Sequence, residues 1–400
     1  MKFGKRYIRF VVAILIAILL LSVNPIYGDD ILPADEYEVD LSFETVSPVG
    51  SKDIILNAKY AVAIEAGTKR VLYEKNAYDK SAMASTTKIM TAIVAIDYGK
   101  LDDVVTVSNK AAYTSGSVIK LKAGEKIKLL DLIYGLMLES GNDAAVAIAE
   151  HIAGSEEEYL KLMNQKALEF GAFNTSFTTV HGLDDPNHYT TAYDLASIAA
   201  ECLKNDMFKK VVSTAETYIS NRHLRNTNDL LFTYEGAIGV KTGFTNNAGR
   251  CLVAAAKRDG MEIITVVLGC ADKKSRFSDS RKLLDNSFER YSLKTVLEEG
   301  KLITTISVVK GKNTHVKLLC TDTVILPMSE DEKSAYEIVI SAENEIKAPF
   351  KEGEIVGKLY ITFKGETFAV SEVKLAQSVD SKGFSDFFQD IFRTWREIMK

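Results

Sequence analysis

The chain has 400 residues, of which 46% are hydrophobic and 26% charged, so it is long enough and apolar enough for two or three globular domains. Its formal net charge of −5 argues against nucleic acid as a partner, because surfaces that bind nucleic acid are basic. The five histidines show no HxxxH or HExxH spacing, which argues against a zinc hydrolase. The four cysteines form no CxxC pair and are scattered through a large chain, so we predict buried thiols and no disulfide.

The first 28 residues have the pattern of a secretory signal peptide. Residues 1–10 are basic, residues 11–23 are apolar, and Gly28 offers a small residue where we predict cleavage. An uncleaved N-terminal anchor is the alternative, although the apolar run is short for a membrane span of about twenty residues. Loss of the four cations in this segment would take the net charge from −5 to −9. Residues 29–44 are acidic without a sustained period, and we predict a spacer there.

The next predicted elements are a β-hairpin and a helix that opens with a Ser-x-x-Lys quartet. Residues 59–65 and 71–74 are apolar runs separated by a turn, which indicates two antiparallel strands. Ser85-Thr86-Thr87-Lys88 opens the apolar run 89–96, and in a helix Ser85 and Lys88 would share one face of the first turn. A lysine with a depressed pKa can take the proton of a serine hydroxyl and make the serine a nucleophile. The quartet therefore predicts serine acylation.

Three other Ser-x-x-Lys quartets occur in the chain, starting at Ser117, Ser307 and Ser371. The segments around Ser307 and Ser371 alternate and are rich in valine, so we predict strands, in which an odd spacing sends two side chains to opposite faces. Ser117 lies between Gly116 and Gly124 with no helix to follow. Only the quartet at Ser85 is expected to bring a hydroxyl and an amine together.

A second group of polar side chains lies between two predicted helices. Residues 128–139 have helical periodicity, Ser140-Gly141-Asn142 interrupts it, and a second helix runs from Asp143 to about Ala153. One interpretation is that Asn142 or Asp143 caps this second helix. The catalytic interpretation is that the turn projects Ser140 as a hydroxyl that relays protons and Asn142 as an amide that holds both the lysine and the substrate.

Residues 174–194 form a long polar segment with Gly and Pro, and loops of this length in a compact domain are usually functional. The segment closes at Thr191, where a sequence like a capping box predicts a helix through Leu203.

Lys241-Thr242-Gly243 precedes two long apolar runs, residues 250–256 and 262–269, which predict an antiparallel hairpin around Asp259-Gly260. A glycine in a strand beside a lysine lets a substrate backbone approach closely while the cation meets its carboxylate. A solvated lysine before a turn is the alternative interpretation of this tripeptide.

The C-terminal part of the chain has two further predicted units. Short Val, Ile and Leu runs broken by glycines predict a small all-β domain over residues 298–376. Residues 381–400 have apolar side chains at positions i, i+3, i+4, i+7, i+8 and i+11, which predicts a helix with one apolar face. Its aromatic content, including Trp395, and the neighbouring Arg393, Arg396 and Lys400 favour a helix that lies in a membrane surface without crossing it. Packing of this helix on the all-β domain is the alternative.

The three motifs Ser85-Thr86-Thr87-Lys88, Ser140-Gly141-Asn142 and Lys241-Thr242-Gly243, in this order and spacing, resemble the signatures of penicillin-binding proteins and serine β-lactamases. Residues 182–184, 187–192, 226–231 and 244–245 look like those of the D-alanyl-D-alanine carboxypeptidases of low molecular weight, and the resemblance covers essentially the whole chain. It implies an α+β catalytic domain over about residues 45–291, a penicillin-binding, β-lactamase-like antiparallel sheet with a helical insertion. A small all-β domain and a C-terminal amphipathic helix would follow.

The resemblance also implies catalytic roles. Ser85 would attack the carbonyl between the two terminal D-alanines of a peptidoglycan stem pentapeptide, with Lys88 as its base. Ser140 would relay a proton to the leaving amine, and Asn142 would orient Lys88 and the substrate amide. Water would then release the acyl-enzyme. β-Lactam antibiotics are implied as ligands, whereas no cofactor or metal is implied.

Substrate binding is assigned in the same way. The backbone N–H groups of Ser85 and Phe244 would form the oxyanion hole. Lys241, Thr242 and Arg276 would hold the terminal carboxylate beside Gly243. Relatives often carry His or Tyr at the position of Phe244, which puts side-chain contacts there in question and leaves the backbone role intact.

Two other functions are compatible with parts of this pattern. A class A β-lactamase would share the three motifs but needs a Glu for deacylation. The nearest match, residues 157–161, lacks the expected Asn and is predicted to be helical. A non-catalytic peptidoglycan-binding module would retain the fold alone, and the intact motifs argue against it. With its signal peptide and terminal helix, the chain is expected to be exported and peripheral on the outer face of the bacterial cytoplasmic membrane.

Overall fold

The structure is a computed structural model that describes residues 54–399, without the side chains of Asp390 and Glu397. The predicted signal peptide and acidic spacer lie outside the described residues. An α+β region is followed by a β-rich region and a terminal helix, in the order that the sequence predicts.

The α+β region is built on one five-stranded antiparallel sheet. Its strands are β1 Tyr60–Glu65, β2 Val71–Lys75, β7 Ala237–Thr245, β8 Gly249–Arg258 and β9 Met261–Cys270. They pair in the order β2-β1-β9-β8-β7, and both predicted hairpins, β1 with β2 and β8 with β9, are present. Strands β8 and β9 are buried on both faces, which explains why their sequences are continuous apolar runs and do not alternate.

The two faces of this sheet pack against different helices. Val62 and Ile64 belong to the larger core, which includes the helices inserted between β2 and β7. Ala61 and Ala63 belong to a second core with Leu283 and Leu284 of the helix that follows β9. The period of two along β1 thus distributes its side chains between two buried layers.

Most of the helices inserted between β2 and β7 pack around one central helix, α1 Lys88–Tyr98. The inserted helices are α1 Lys88–Tyr98, α2 Asn109–Ala112, α3 Leu129–Leu138, α4 Asn142–Ala153, α5 Glu156–Glu169, α6 Ala192–Leu203, α7 Asp206–Val212 and α8 Leu230–Thr233. Residues 88–95 of α1 are all buried, as expected for a helix that is apolar around its whole circumference. A 3₁₀ turn, Ala84–Thr87, leads into α1, whereas the sequence predicts a regular helix from Ser85.

Two small hairpins and one long helix complete the α+β region. The hairpins are β3 Val104–Thr106 with β4 Lys126–Lys128, and β5 Glu216–Ile219 with β6 Arg222–Arg225. The long helix is α9, Lys273–Arg290, whose first turn is closed by a capping box between Asp272 and Ser275.

The β-rich region has its own hydrophobic core. Its elements are β10 Ser292–Leu297, β11 Leu302–Val309, β12 His315–Cys320, β13 Val324–Met328, α10 Glu330–Ala335, β14 Glu337–Ala342, β15 Glu345–Lys347, β16 Ile355–Phe363 and β17 Glu366–Leu375. β10 pairs with β13, and the other strands form one sheet in the order β14-β16-β17-β12-β11-β15. All four cysteines are buried free thiols.

The terminal helix α11 spans Phe384–Ile398, and its apolar side chains are exposed. These side chains belong to Phe384, Phe387, Phe388, Ile391, Phe392, Trp395 and Ile398. Among the described residues, no helix combines the length and the hydropathy that a membrane crossing requires.

Candidate active site

Ser85 lies in the 3₁₀ turn before α1, where the backbone is strained. Ala84 has a φ of 49°, a left-handed conformation that is uncommon for a residue with a Cβ. Such conformations cost about 1–3 kcal/mol and persist where surrounding contacts hold them, often at functional sites. Ser85 stays half-buried in this turn, while its neighbours Ala84, Thr86 and Thr87 are buried.

Lys88 is fully buried, and three oxygen atoms surround its Nζ. Ser85 Oγ lies at 2.9 Å, Asn142 Oδ1 at 2.7 Å and the carbonyl oxygen of His181 at 2.5 Å. A neutral amine has two N–H groups and one lone pair. Because the amide and carbonyl oxygens can only accept, they take the two N–H groups and leave the lone pair facing the Ser85 hydroxyl. In this arrangement a lysine can take a proton from the serine.

The surroundings of Lys88 favour its neutral form. Burial lowers the pKa of the Lys88 ammonium well below its ordinary value, the charge of Lys241 lowers it further, and Asp143 acts in the opposite direction. Burial also lowers the pKa of Lys241 to about 7, with Arg276 adding to the effect and Glu139 opposing it. The lowered pKa of Lys88 favours its neutral amine, which is the form that a general base requires.

The turn between α3 and α4 brings Asn142 to the lysine. Ser140 is buried in this turn with a φ of 61°, and α4 begins at Asn142. The Asn142 amide is held at both ends, because Nδ2 donates to the carbonyl of Ser115 at 2.7 Å while Oδ1 accepts from Lys88. The N-cap of α4 is Gly141, so neither Asn142 nor Asp143 occupies the capping position that the alternative interpretation required.

Strand β7 is an edge strand of the sheet and runs beside the 3₁₀ turn. A Cβ at Gly243 would lie 3.1 Å from the backbone N of Ser85 and 3.2 Å from the carbonyl oxygen of Met83, so glycine is what allows this approach. Phe244 follows Gly243 on the same strand, and its side chain is partly exposed. The two backbone segments predicted to supply the oxyanion hole are therefore neighbours.

The predicted carboxylate-binding side chains surround the same strand and are buried. Lys241 Nζ donates to the carbonyl of Thr242 at 3.0 Å, and Arg276 on α9 donates from Nη1 to the carbonyl of Gly243 at 3.2 Å. The Arg276 Nε is buried without a hydrogen-bond partner, which leaves a charged group with an unused donor. Burial lowers the pKa of Arg276, and the charge of Arg250 adds to this. A carboxylate would satisfy both cations.

The polar segment 174–191 packs over the start of α1, and three contacts fasten it there. Val180 O accepts from Thr91 Oγ1 at 2.7 Å, His181 O accepts from Lys88, and His188 Nε2 lies 2.7 Å from Thr87 Oγ1. Gly182 permits this packing, because a Cβ there would lie 2.0 Å from the carbonyl oxygen of Ala84. In the sequence, only the length and polarity of this segment suggest a function. No role was predicted for His181, which acts through a backbone carbonyl, or for His188, which lies within the family-like residues 187–192.

Asp143 is a further residue that the sequence interpretation treated only as a cap. Its carboxylate is buried and accepts hydrogen bonds from the backbone N–H groups of Ile119 and Leu121, each at 3.0 Å. It thereby holds the irregular segment 115–121 against the N-terminal end of α4, next to the Asn142 amide.

The remaining Ser-x-x-Lys quartets lie where the sequence places them. Ser117 is in an irregular segment, and Ser307 and Ser371 are in β11 and β17. Glu157 and Glu158, the nearest match to a β-lactamase glutamate, are exposed on α5. Among residues 54–399, the hydrogen bonds of Ser85 and Lys88 include no carboxylate.

Comparison with known proteins identifies two matching families. Residues 47–272 match the family described as D-alanyl-D-alanine carboxypeptidase, and residues 291–381 match the C-terminal domain of penicillin-binding protein 5. The D-alanyl-D-alanine carboxypeptidase DacF of Bacillus subtilis (strain 168) is 37% identical over 356 residues, which cover 86% of this chain and 92% of that protein. DacC of Escherichia coli (strain K12) is 33% identical over 362 residues, covering 85% and 90%.

Among solved structures, penicillin-binding protein 5 from Haemophilus influenzae is similar with a TM-score of 0.75 and 30% identity, covering 83% of this chain and all of that one. The predicted fold, an α+β penicillin-binding domain followed by an all-β domain, is confirmed. The chain belongs to the serine-type D-alanyl-D-alanine carboxypeptidases, in the group that carries the C-terminal domain of penicillin-binding protein 5.

Proposed function

We propose that this chain removes the terminal D-alanine from peptidoglycan stem pentapeptides through an acyl-enzyme on Ser85. One observation supports this assignment above the others. The fully buried Nζ of Lys88 is held 2.9 Å from Ser85 Oγ by two oxygens that can only accept hydrogen bonds. The nucleophile and its base are thus aligned within one helical turn.

In acylation, Lys88 takes the proton of Ser85 while Oγ attacks the carbonyl carbon between the two D-alanines. The negative charge that develops on the carbonyl oxygen is stabilised by the N–H groups of Ser85 and Phe244. Ser140 passes its proton to the departing nitrogen and takes in exchange the proton that Lys88 received from Ser85, so Lys88 is neutral again when the C–N bond breaks and D-alanine leaves. Asn142 keeps Lys88 in place throughout.

In deacylation, Lys88 takes a proton from water, whose oxygen attacks the ester carbonyl. The same two N–H groups stabilise the oxyanion, the bond to Ser85 Oγ breaks, and Oγ takes from Lys88 the proton that came from water, which restores the neutral amine. The shortened peptide then leaves. A β-lactam would acylate Ser85 by the same first step, which makes it a mechanism-based label for this site.

The substrate terminus is selected by charge. Lys241 and Arg276 are buried cations beside the strand on which the substrate would lie, and Thr242 adds a hydroxyl there. A free terminal carboxylate pairs with them, whereas an amide leaves them buried without an anion, which is costly.

We also propose that the enzyme works at the outer face of the cytoplasmic membrane, attached through α11. The apolar side of that helix is exposed along its whole length, and it is rich in aromatic side chains that suit a membrane surface. The predicted signal peptide would export the chain to this location.

The central test is release of D-alanine from a peptide ending in D-Ala-D-Ala, together with mass-spectrometric mapping of the penicillin adduct. We expect release from the free peptide, little release from the same peptide amidated at its terminus, and one adduct on Ser85. Ser85→Ala should abolish both signals, and Ser117→Ala, a change in the irregular quartet, should alter neither. An adduct on Ser117 or Ser140 would overturn the assignment of the nucleophile. Equal release from the free and amidated peptides would overturn the assignment of the carboxylate site.

A further inference from the structure

A chain of hydrogen bonds runs from His188 to the peptide that precedes Ser85. His188 Nε2 lies 2.7 Å from Thr87 Oγ1, and Thr87 Oγ1 lies 2.7 Å from the carbonyl oxygen of Ala84. His188 and Thr87 are buried, so water does not compete for these bonds. None of these groups has a part in the chemistry proposed above.

The direction of this chain follows from its chemistry. The Ala84 carbonyl can only accept, so the single hydroxyl proton of Thr87 goes to it, and His188 Nε2 must be the N–H that donates to Thr87. On the other side of the ring, Nδ1 accepts from the backbone N–H groups of Thr178 and Thr179 at 3.1 and 3.4 Å. The neutral imidazole with its proton on Nε2 is therefore the one form that satisfies every contact.

The surroundings of the ring favour the same neutral form. Burial lowers the pKa of His188 to about 4, and the charges of His181 and Lys88 lower it while Asp184 and Asp185 raise it. The ring of Phe177 packs edge-on against the imidazole. His188 consequently keeps its direction of donation across the neutral range of pH.

The last group in the chain belongs to the peptide that links Ala84 and Ser85. In a trans peptide the C=O and the N–H lie in one plane and point in opposite directions. A bond that holds the Ala84 carbonyl thus also aims the Ser85 N–H. Ala84 is in a left-handed conformation with a φ of 49°, so without such a bond this peptide would be expected to relax.

We propose that His188 is a positioning residue that, through Thr87, aims the Ser85 N–H at the oxyanion. This rests on the proposed function, in which that N–H is one of two oxyanion donors. Loss of these hydrogen bonds would destabilise the transition state, in which the oxyanion develops. It would therefore slow acylation and deacylation alike.

The first experiment compares His188→Ala with His188→Gln in the full chain. We expect His188→Ala to lower kcat/KM for D-alanine release by about 10- to 100-fold, as small misplacements at reacting groups do. The inhibition constant of a boronic acid that mimics the tetrahedral state should rise by a similar factor. Glutamine has a carbonyl oxygen for Thr178 and an N–H group for Thr87, so His188→Gln should restore most of both values.

The second experiment tests the path through Thr87. Thr87→Val removes the hydroxyl and should match His188→Ala, whereas Thr87→Ser keeps it and should stay near the unchanged enzyme. The double variant His188→Ala, Thr87→Val should be no slower than either single variant, because both substitutions interrupt the same series of hydrogen bonds. Asn205→Ala removes a helix cap on α7 and provides a control that lowers Tm without changing kcat/KM.

Three results would overturn the proposal: an unchanged kcat/KM and inhibition constant in His188→Ala, effects that add in the double variant, or a glutamine variant as slow as the alanine variant. Failure of the proposed function would look different. In that case the unchanged enzyme would form no penicillin adduct on Ser85 and would release no D-alanine, so there would be no activity with which to compare the variants.

Discussion

Arg70 and Glu332 join the α+β region to the β-rich region through a buried ion pair. Arg70, just before β2, places Nη2 and Nη1 at 2.5 and 3.1 Å from the two carboxylate oxygens of Glu332 on α10. The Arg70 side chain also donates to the carbonyl of Pro327 and stacks on the ring of Phe368 at 3.8 Å. The two side chains are only 14% and 5% exposed. This contact fixes the β-rich region against the sheet that carries the active site.

Arg70→Ala should destabilise the chain by about 3 kcal/mol, since it leaves a buried carboxylate without its partner. Burial raises the pKa of Glu332, but the bonds from Arg70 and Ser329 outweigh this and hold it below the ordinary 4.5. The pair therefore stabilises the fold fully above that ordinary value and loses its effect as the pH falls through the lower folded-state pKa. Urea denaturation of both proteins at neutral and acidic pH measures this difference.

A control exists in the less buried pair Lys374 and Glu299, which are 3.5 Å apart and whose side chains are 30% and 65% exposed. Lys374→Ala should change stability by less than about 1 kcal/mol. If Arg70→Ala costs no more than Lys374→Ala, or if its effect does not shrink in acid, Arg70 does not hold the two regions together in this way.

The pH dependence of acylation should report the charge of Lys241. The proposed mechanism needs neutral Lys88, so the acylation rate should rise with pH through the pKa of Lys88. Lys241 lowers that pKa, and Lys241→Gln removes the cation, so the acidic limb of the profile should move to higher pH. The measurement is the second-order rate of penicillin acylation as a function of pH.

Lys161→Gln on the exposed face of α5 provides the control, because its charge lies on the surface and pairs with Glu158. It should leave the acidic limb in place. If Lys241→Gln lowers the maximum acylation rate but leaves the acidic limb at the same pH, then Lys241 binds substrate without influencing the pKa of Lys88.

Local sequence patterns were sufficient to predict much of the fold and the closeness of Ser85 and Lys88. Apolar runs of strand length predicted the hairpins β1–β2 and β8–β9, and helical periodicity predicted α3, α4 and α11. The hydroxyl of Ser85 and the amine of Lys88 are together because a spacing of three residues sets their geometry within one turn. These features depend on neighbours in sequence, and this is why they were predictable.

What could not be predicted depends on the backbone or on distant contacts. The φ of Ala84 and the carbonyl of His181 are backbone properties that do not follow from residue type. Arg70 and Glu332 are separated by 262 positions, and nothing in either segment points to the other. The pairing of β1 with β9 is equally remote, and only the resemblance to a known family implied the sheet.

Removal of α11 should release the mature enzyme from membranes and leave its chemistry intact. The cut belongs after Gly383, because residues 380–382 still pair with residues 310–312: Lys312 N donates to Asp380 O and Lys382 N to Lys310 O. We expect the truncated chain to move from the membrane to the soluble fraction with unchanged release of D-alanine from a soluble peptide. Sedimentation with membranes measures the first property and peptide turnover the second.

Two point variants test the same helix without shortening it. Phe388→Asp places a charge on the apolar side and should release the protein, whereas Gln389→Asp adds the same charge on the polar side and should not. If the truncated chain unfolds, or if it still sediments with membranes, α11 packs on protein or is not the anchor.

Gly182 is the point at which the polar loop touches the turn that carries Ser85, and it offers the sharpest test of that packing. A Cβ there would lie 2.0 Å from the carbonyl oxygen of Ala84 and 2.7 Å from Thr87 Oγ1, and its φ of +87° disfavours any side chain. In Gly182→Ala the loop must therefore move away, and the hydrogen bond that Lys88 Nζ donates to the carbonyl of His181 breaks with it. We expect a loss of about 2–4 kcal/mol from strain and overpacking and a fall of about 10²-fold in acylation rate.

The control for this variant is Gly154→Ala at the end of α4, where φ is +79° and no atom lies within 4 Å of the added Cβ. It carries the conformational cost alone, about 1–2 kcal/mol, and should acylate at the unchanged rate. Thermal melting and penicillin acylation of the two variants separate strain in general from displacement of this loop in particular. If both variants lose the same stability and both keep the unchanged acylation rate, then the contact between Gly182 and Ala84 does not position Ser85 and Lys88.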